Sequence, residues 1–285
     1  MANIGFMQGR LSPVVDGKIQ AFPWTHWRDE FEIAQQHRFT AMEWTLDQDC
    51  IDHNPFMMEA GRSLIRLLSN RYGLKIYSLT GDCFMQAPFW KVSGIERTRR
   101  LERLRTVLLA AADLGVCLVV LPLVDNGSLE NNIQTNNLLT GLETIQDVLT
   151  RYNLKILFES DFPPQKLQQF ISQLESTHFG INYDSGNSAA LGYDPQEEIS
   201  VYGERIYNVH IKDRVLGGTT VPLGTGDADL PKVLNLLTEN GYSGQYILQT
   251  ARATNGNHMG VLCQYRDQVL QWLGESPGID YGVRT

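Results

Sequence analysis

The sequence predicts an α/β fold, a single-domain (β/α)8 barrel of parallel strands. Three observations carry that prediction. Short apolar runs recur eight times along the chain, helix-patterned segments separate them, and several runs are continuous rather than alternating. Continuous apolar strands are what burial on both faces requires, as in a parallel sheet covered by helices. A doubly wound open sheet is the alternative, but it usually has fewer strands and a glycine-rich phosphate loop. No Gly-x-Gly-x-x-Gly follows the first run, and Gly224-Thr225-Gly226 lies late in the chain, after a loop.

In order, the expected strands are residues 4–7, 41–44, 75–79, 117–121, 155–158, 179–183, 206–211 and 245–248. The first helix, 27–37, carries Phe31 and Ala34 at helical spacing. The second, 56–72, repeats Leu64, Ile65, Leu67 and Leu68. The third, 97–114, repeats Leu101, Leu104, Leu108, Ala111 and Ala112. The fourth, 138–152, repeats Leu138, Leu142, Ile145 and Leu149. Helices over 164–174, 195–203, 231–240 and 258–273 complete the alternation, the sixth being short. Gly73, Asn153 and Gly241 each follow a helix, where a left-handed cap residue belongs. Residues 1–274 form the barrel by this reading. Residues 275–285 are an extension without structure of their own.

Length and composition set the outer bounds. The chain has 285 residues, a size that barrels of this type reach as one domain. The formal charge is −8, which repels phosphate backbones and anionic membranes and argues against a nucleic-acid partner. No apolar stretch approaches the ~20 residues of a membrane span. The longest, 115–124, is broken by Pro122. Cys50, Cys83, Cys117 and Cys263 are widely spaced, which fits reduced thiols in a cytoplasmic protein. Met1 leads straight into the first strand, so no signal peptide is expected. A homo-oligomer is compatible with the sequence.

The chemistry concentrates at strand ends. Glu159, Asp184, His210 and Gln249 end the fifth to eighth runs, and Glu43 ends the second. In a parallel barrel all strand C-termini open on one face, so these side chains converge. Singly, a strand-end carboxylate reads equally well as a helix cap or an ion-pair partner. Together, two carboxylates, an imidazole and an amide oxygen make a mostly hard donor set. It suits one divalent metal ion, Mn²⁺, Mg²⁺, Co²⁺ or Zn²⁺.

The segments ILFESD, GINYDSGNSAALGYDP, NVHIKDR and PLGTGDADL, framed by GFMQGRLSP and YILQTAR, carry a family resemblance. The chain resembles the xylose isomerase-like TIM barrel superfamily. Within it, the likeness is to the sugar-phosphate isomerase/epimerase branch, which includes D-tagatose 3-epimerase-like and hydroxypyruvate isomerase-like enzymes. The resemblance implies a metal-dependent isomerase or epimerase acting on a sugar or sugar phosphate. The family's four ligands map onto Glu159, Asp184, His210 and Gln249. This sequence departs from the pattern in three places. Gln249 stands where the family has a Glu that also works as acid/base. Asn187 stands where a His often follows the strand-six Asp. The extra His ligands of the endonuclease IV relatives are absent.

An amide coordinates through oxygen but exchanges no proton at neutral pH. Replacing a Glu with Gln249 also lowers the ligand charge, which weakens metal retention and strengthens the ion as a Lewis acid. Glu159 is then the expected base, moving a proton next to a carbonyl through an enediolate. Lys212 and Glu43 are the candidates for its partner. A single base suits aldose–ketose isomerisation better than epimerisation. Alternatives on the same residues are a sugar dehydratase and a barrel that only binds a sugar. Arg10, Asn187 and Arg252 are the expected substrate-binding residues. Arg10, Arg252, Lys212 and Arg214 could each hold a phosphate or carboxylate, or pair instead with Asp213, Asp227 or Asp229. Phe6, Trp44, Phe84, Phe89 and Trp90 pack in the core or wall the sugar site.

Overall fold

The structure is a computed structural model that describes residues 2–275. The expected extension therefore lies, apart from Glu275, outside the described residues. Strands β1 (Asn3–Met7), β2 (Ala41–Thr45), β3 (Lys75–Thr80), β4 (Leu118–Leu123), β5 (Lys155–Ser160), β6 (Phe179–Asp184) and β7 (Ile206–Ile211) are barrel strands. A short antiparallel hairpin, β8 (Asp213–Arg214) with β9 (Thr220–Val221), interrupts the rhythm before β10 (Gln245–Leu248). The barrel closes in the order β1-β10-β7-β6-β5-β4-β3-β2, with every neighbouring pair parallel.

The helices are α1 (Asp29–Gln36), α2 (Glu59–Tyr72), α3 (Asp82–Gln86), α4 (Gly94–Leu114), α5 (Asn132–Glu143), α6 (Gln146–Tyr152), α7 (Pro164–Ile171), α8 (Ser185–Leu191), α9 (Pro195–Tyr202), α10 (Leu230–Glu239) and α11 (His258–Trp272). Several starts follow from caps. The side chains of Asn131, Asp194, Asp229 and Asn257 each accept a hydrogen bond from a backbone N–H in the first turn of the helix that follows. Gly73, Asn153 and Gly241 adopt the left-handed conformation expected of them. The single helix expected over 138–152 is two, α5 and α6, parted at Thr144 and Ile145. Ile145 is buried on the shared apolar stripe, so its periodicity concealed the break. Helices α3 and α8 and the hairpin were not expected: each is too short to show a period.

Phe6, Trp44, Phe84, Phe89 and Trp90 are all buried in the apolar core, and of these Phe84 also lines a cavity against α4. Phe158 on β5 packs edge-on to Phe170 of α7 at 5.2 Å and stacks on Phe179 of β6. This apolar layer lies between barrel and helices. The barrel's interior is different. Barrels of this type are usually filled with branched aliphatic side chains. Here Glu43, Asn182, Asn208 and His210 are buried and bonded to one another within the barrel, and Asn208 reaches Glu43 across it at 2.8 Å.

The segment PLGTGDADL has a structural reason. Asp213 is fully buried, and its carboxylate accepts the N–H groups of Gly224, Thr225, Gly226 and Ala228 at 2.8–3.1 Å. A Cβ on Gly226 would collide with that carboxylate, so the position requires glycine. Asp213 is thus the centre of a loop cradle and not a partner for an arginine. Asp213→Ala removes the acceptor of four backbone donors. It is expected to destabilise the protein by about 2–4 kcal/mol, lowering Tm by roughly 3–7 °C in a thermal melt. An unchanged Tm would refute the cradle's role.

Candidate metal centre

Glu159 ends β5 but for one residue, Asp184 ends β6, His210 lies one residue from the end of β7, and Gln249 directly follows β10. Register sets Asp184 level with His210, and on the other side His210 level with Ile247, two residues before Gln249. Period-2 alternation then turns Asn182 with Asp184, and Asn208 with His210, into the same interior. Ligand atoms of Glu159, Asp184 and His210 lie within 4.8 Å of one another.

The imidazole is held at both nitrogens. His210 Nε2 lies 2.7 Å from Glu43 Oε1, and both groups are fully buried. Strands β2 and β7 are not neighbours, so this contact crosses the barrel. The same Glu43 oxygen accepts from Thr80 Oγ1, and its other oxygen accepts from Asn208. Glu43 therefore lies below the rim with its oxygens occupied. His210 Nδ1 points the other way, 3.1 Å from Glu159 Oε2 and 3.9 Å from Asp184 Oδ2. Burial alone would lower the imidazole pKa; Glu43 and Glu159 outweigh it and raise the pKa to about 10. Burial would raise both glutamates, and His210 outweighs it, holding each below the usual carboxylate range. In the metal-free site an imidazolium proton thus stands among the carboxylates.

Asn182 and Asn187 fix Glu159. Asn182 Nδ2 donates to Oε2 at 2.8 Å and Asn187 Nδ2 to Oε1 at 2.6 Å. Asn187 is itself oriented by Arg214, whose Nη1 donates to its side-chain oxygen at 2.8 Å, while the Asn187 backbone N–H donates to Asp184 Oδ1. Lys212 Nζ sits 2.6 Å from Asp184 Oδ2. Its stem lies against Gly186, where a Cβ would approach to within 2.7–2.9 Å, so glycine there admits the lysine. Gln249 Oε1 is buried with no hydrogen-bond partner among the described residues.

Two expected substrate contacts occupy the β1/β10 seam instead of the metal centre. Arg10 Nε donates to the Thr250 carbonyl at 3.0 Å, and its Nη1 to the Ile19 carbonyl at 2.8 Å. Arg252 donates to the carbonyls of Gly9 and Ser12. Neither meets Asp213, Asp227 or Asp229 in these bonds.

Sequence reasoning missed Asp82. It opens α3 two residues after β3 ends and is half-buried in the barrel mouth. Burial, Asp47 and Glu159 together push its carboxyl up to about 8. The signal was present, a strand-end acid in Thr80-Gly81-Asp82, but the strand runs further than its apolar run. Asp47 also lines a cavity of about 740 Å³ bounded by Phe22 and Trp24 of the β1–α1 loop. Another cavity of about 840 Å³, against α4, is lined by none of Glu159, Asp184, His210 or Gln249.

Comparison with known proteins agrees with the fold. The chain is 24% identical over 252 residues to the L-ribulose-5-phosphate 3-epimerase UlaE of Salmonella heidelberg, a match covering 85% of this chain and 88% of that protein. A xylose isomerase domain protein from Planctomyces limnophilus superposes with a TM-score of 0.74 at 15% identity, covering 95% of this chain and 97% of the other. The IOLI protein, whose structure was solved with a binding zinc atom, superposes with a TM-score of 0.71 at 14% identity, covering 97% of this chain and 100% of that one. The family model for xylose isomerase-like TIM barrels matches residues 31–269, so the chain belongs to the xylose isomerase-like TIM barrel family.

Proposed function

We propose that the protein is a divalent-metal-dependent isomerase or epimerase acting on a keto-sugar or its phosphate. The observation that carries this reading is the buried Glu159–Asp184–His210 group beside the orphaned Gln249 Oε1. Two carboxylates, an imidazole and an amide oxygen are donors a hard or borderline divalent ion accepts. His210 Nδ1 is the nitrogen on the side of Glu159 and Asp184, whereas Nε2 faces Glu43. The ion would be held by Glu159, Asp184, His210 and Gln249. The epimerase name of the 24%-identical relative and the zinc in the IOLI structure support the reading. The ion itself could be Mn²⁺, Mg²⁺, Co²⁺ or Zn²⁺.

When bound, such an ion acts as a Lewis acid toward the substrate's carbonyl and hydroxyl oxygens. The proton transfer falls to this chain's own side chains. Glu159 takes the proton next to the carbonyl, and the two amides on its oxygens fix its direction. Lys212 places positive charge beside Asp184, where negative charge develops on the enediolate. Glu43 is a positioning residue: it selects the imidazole nitrogen and keeps the ring in register. Gln249 moves no proton, so the second proton-transfer group stands elsewhere in the mouth. Asp82 is the acid there that remains neutral at pH 7.

Glu159→Gln is expected to cut kcat by about 10²–10⁴-fold while the far-UV circular dichroism is unchanged. Wild-type protein incubated with a keto-pentose 5-phosphate in D₂O should place deuterium on the carbon next to the carbonyl without losing water. Full turnover in the variant would remove Glu159 as base. A new unsaturated or diketo product would move the enzyme to the lyases.

Asp82 yields a pH prediction. Its folded pKa of about 8 lies above the ordinary 3.8, so between those values the folded state binds the extra proton. Stability of the metal-free protein therefore falls as pH rises through that window. Asp82→Asn removes that loss. The variant's Tm advantage over wild type should be larger at about pH 8 than at about pH 5. An advantage independent of pH would contradict the perturbed acid.

A further inference from the structure

The backbone ladder between β1 and β10 ends at Phe6 and Leu248, so Gln249 and Thr250 lie beyond it. Two bonds bracket Gln249 there. Its own N–H donates to the carbonyl of Ile211, the residue after His210, at 3.1 Å. The Thr250 carbonyl accepts from Arg10 Nε at 3.0 Å, so a side chain takes the part a neighbouring strand's N–H would otherwise play. Arg10 is itself aimed. It is buried, and its Nη1 donates to the Ile19 carbonyl at 2.8 Å. The N–H groups of Gly9 and Leu11, on either side of it in the chain, both donate to the fully buried carboxylate of Glu30 on α1 at 3.0 Å. Arg252 donates to the carbonyls of Gly9 and Ser12 in the same turn. Glu30 lies close enough to both guanidinium groups to act on their charge. A buried Arg–Glu–Arg group is weak evidence for stability, because an apolar filling of similar volume often serves as well. What this one supplies is direction.

Gln249 needs such support more than its fellow donors do. A cation draws a carboxylate toward itself by charge, and draws a neutral amide far less. Gln249 Oε1 also has no hydrogen-bond partner among the described residues, so no bond to that oxygen sets its place. We propose that Arg10 is a positioning residue for Gln249. By holding the Thr250 carbonyl it fixes the backbone from which the amide oxygen approaches the metal, while Glu30 and Arg252 hold the turn that carries Arg10. The inference rests on the metal-donor reading of Gln249 given above and adds how that donor is held. Arg10 acts through the backbone of residue 250, not on the substrate.

Calorimetric titration of Mn²⁺ onto the full chain tests this, with Arg10→Lys, Gln249→Ala and the double variant as a cycle. Lysine keeps the charge and removes the Nε donor. Arg10→Lys is expected to weaken Mn²⁺ about tenfold, the scale of loss when a residue that orients a ligand is changed. In the Gln249→Ala background the same substitution should change the affinity by less than about twofold. Wild-type affinity in Arg10→Lys overturns the inference. So does an equal loss in both backgrounds, which is what a merely loosened fold produces. Glu30→Gln is the second variant and decides the matter if Arg10→Lys does not fold: it sets an amide N–H against the N–H groups of the turn. Its loss should be smaller and should also vanish without Gln249; a loss that persists there counts against the inference. If Gln249→Ala binds Mn²⁺ as the wild type does, the metal-donor reading itself fails. If Gln249→Ala weakens binding but the cycle is additive, that reading stands and the role of Arg10 alone falls.

Discussion

The contact between Glu43 and His210 is the constraint on which the rest of the site depends. It joins two strands that are not neighbours, through a 2.7 Å contact between fully buried groups. A charge pair at that depth is costly to desolvate and persists only when its remaining atoms are satisfied. Thr80 and Asn208 supply that on the Glu43 side. On the His210 side, Asn182 and Glu159 surround Nδ1. With Nε2 committed, the direction of Nδ1 is no longer free. The positions of Glu159 and Asp184 then acquire meaning as fellow donors.

This arrangement explains why the barrel's interior departs from an aliphatic filling. Asn182 and Asn208 are the rungs between Glu43 below and Glu159 above. Each has its side-chain nitrogen on a carboxylate, so neither acid is buried without donors. Lys212 and His210 together balance much of the negative charge of Glu159, Asp184 and Glu43 in the metal-free chain. A divalent cation at Nδ1 would replace the imidazolium proton with a larger charge in the same place.

Much of this was legible in the sequence, and what was not has identifiable causes. The barrel was legible because eight short apolar runs, several of them continuous, alternate with helical periods. The strand-end residues were legible because a parallel barrel sends all C-termini to one face. Depth was not. Glu43 read as a rim residue, yet it lies mid-strand in β2, because a strand's extent beyond its apolar run leaves no mark. The same blindness hid Asp82 beyond β3. Asn182 and Asn208 passed as ordinary strand residues, since a contact across the barrel has no spacing to detect. Arg10 and Arg252 lie together at the β1/β10 seam. That much of their hydrogen bonding holds loop carbonyls depends on backbone geometry that composition cannot reveal.

The most direct test of the central claim is a crystal structure of the Mn²⁺-loaded protein with anomalous diffraction. The account predicts one ion bonded to Glu159, Asp184, His210 Nδ1 and Gln249 Oε1, with Nε2 still on Glu43. An ion on Nε2 with Glu43 displaced, or an ion from which Gln249 is turned away, would contradict it.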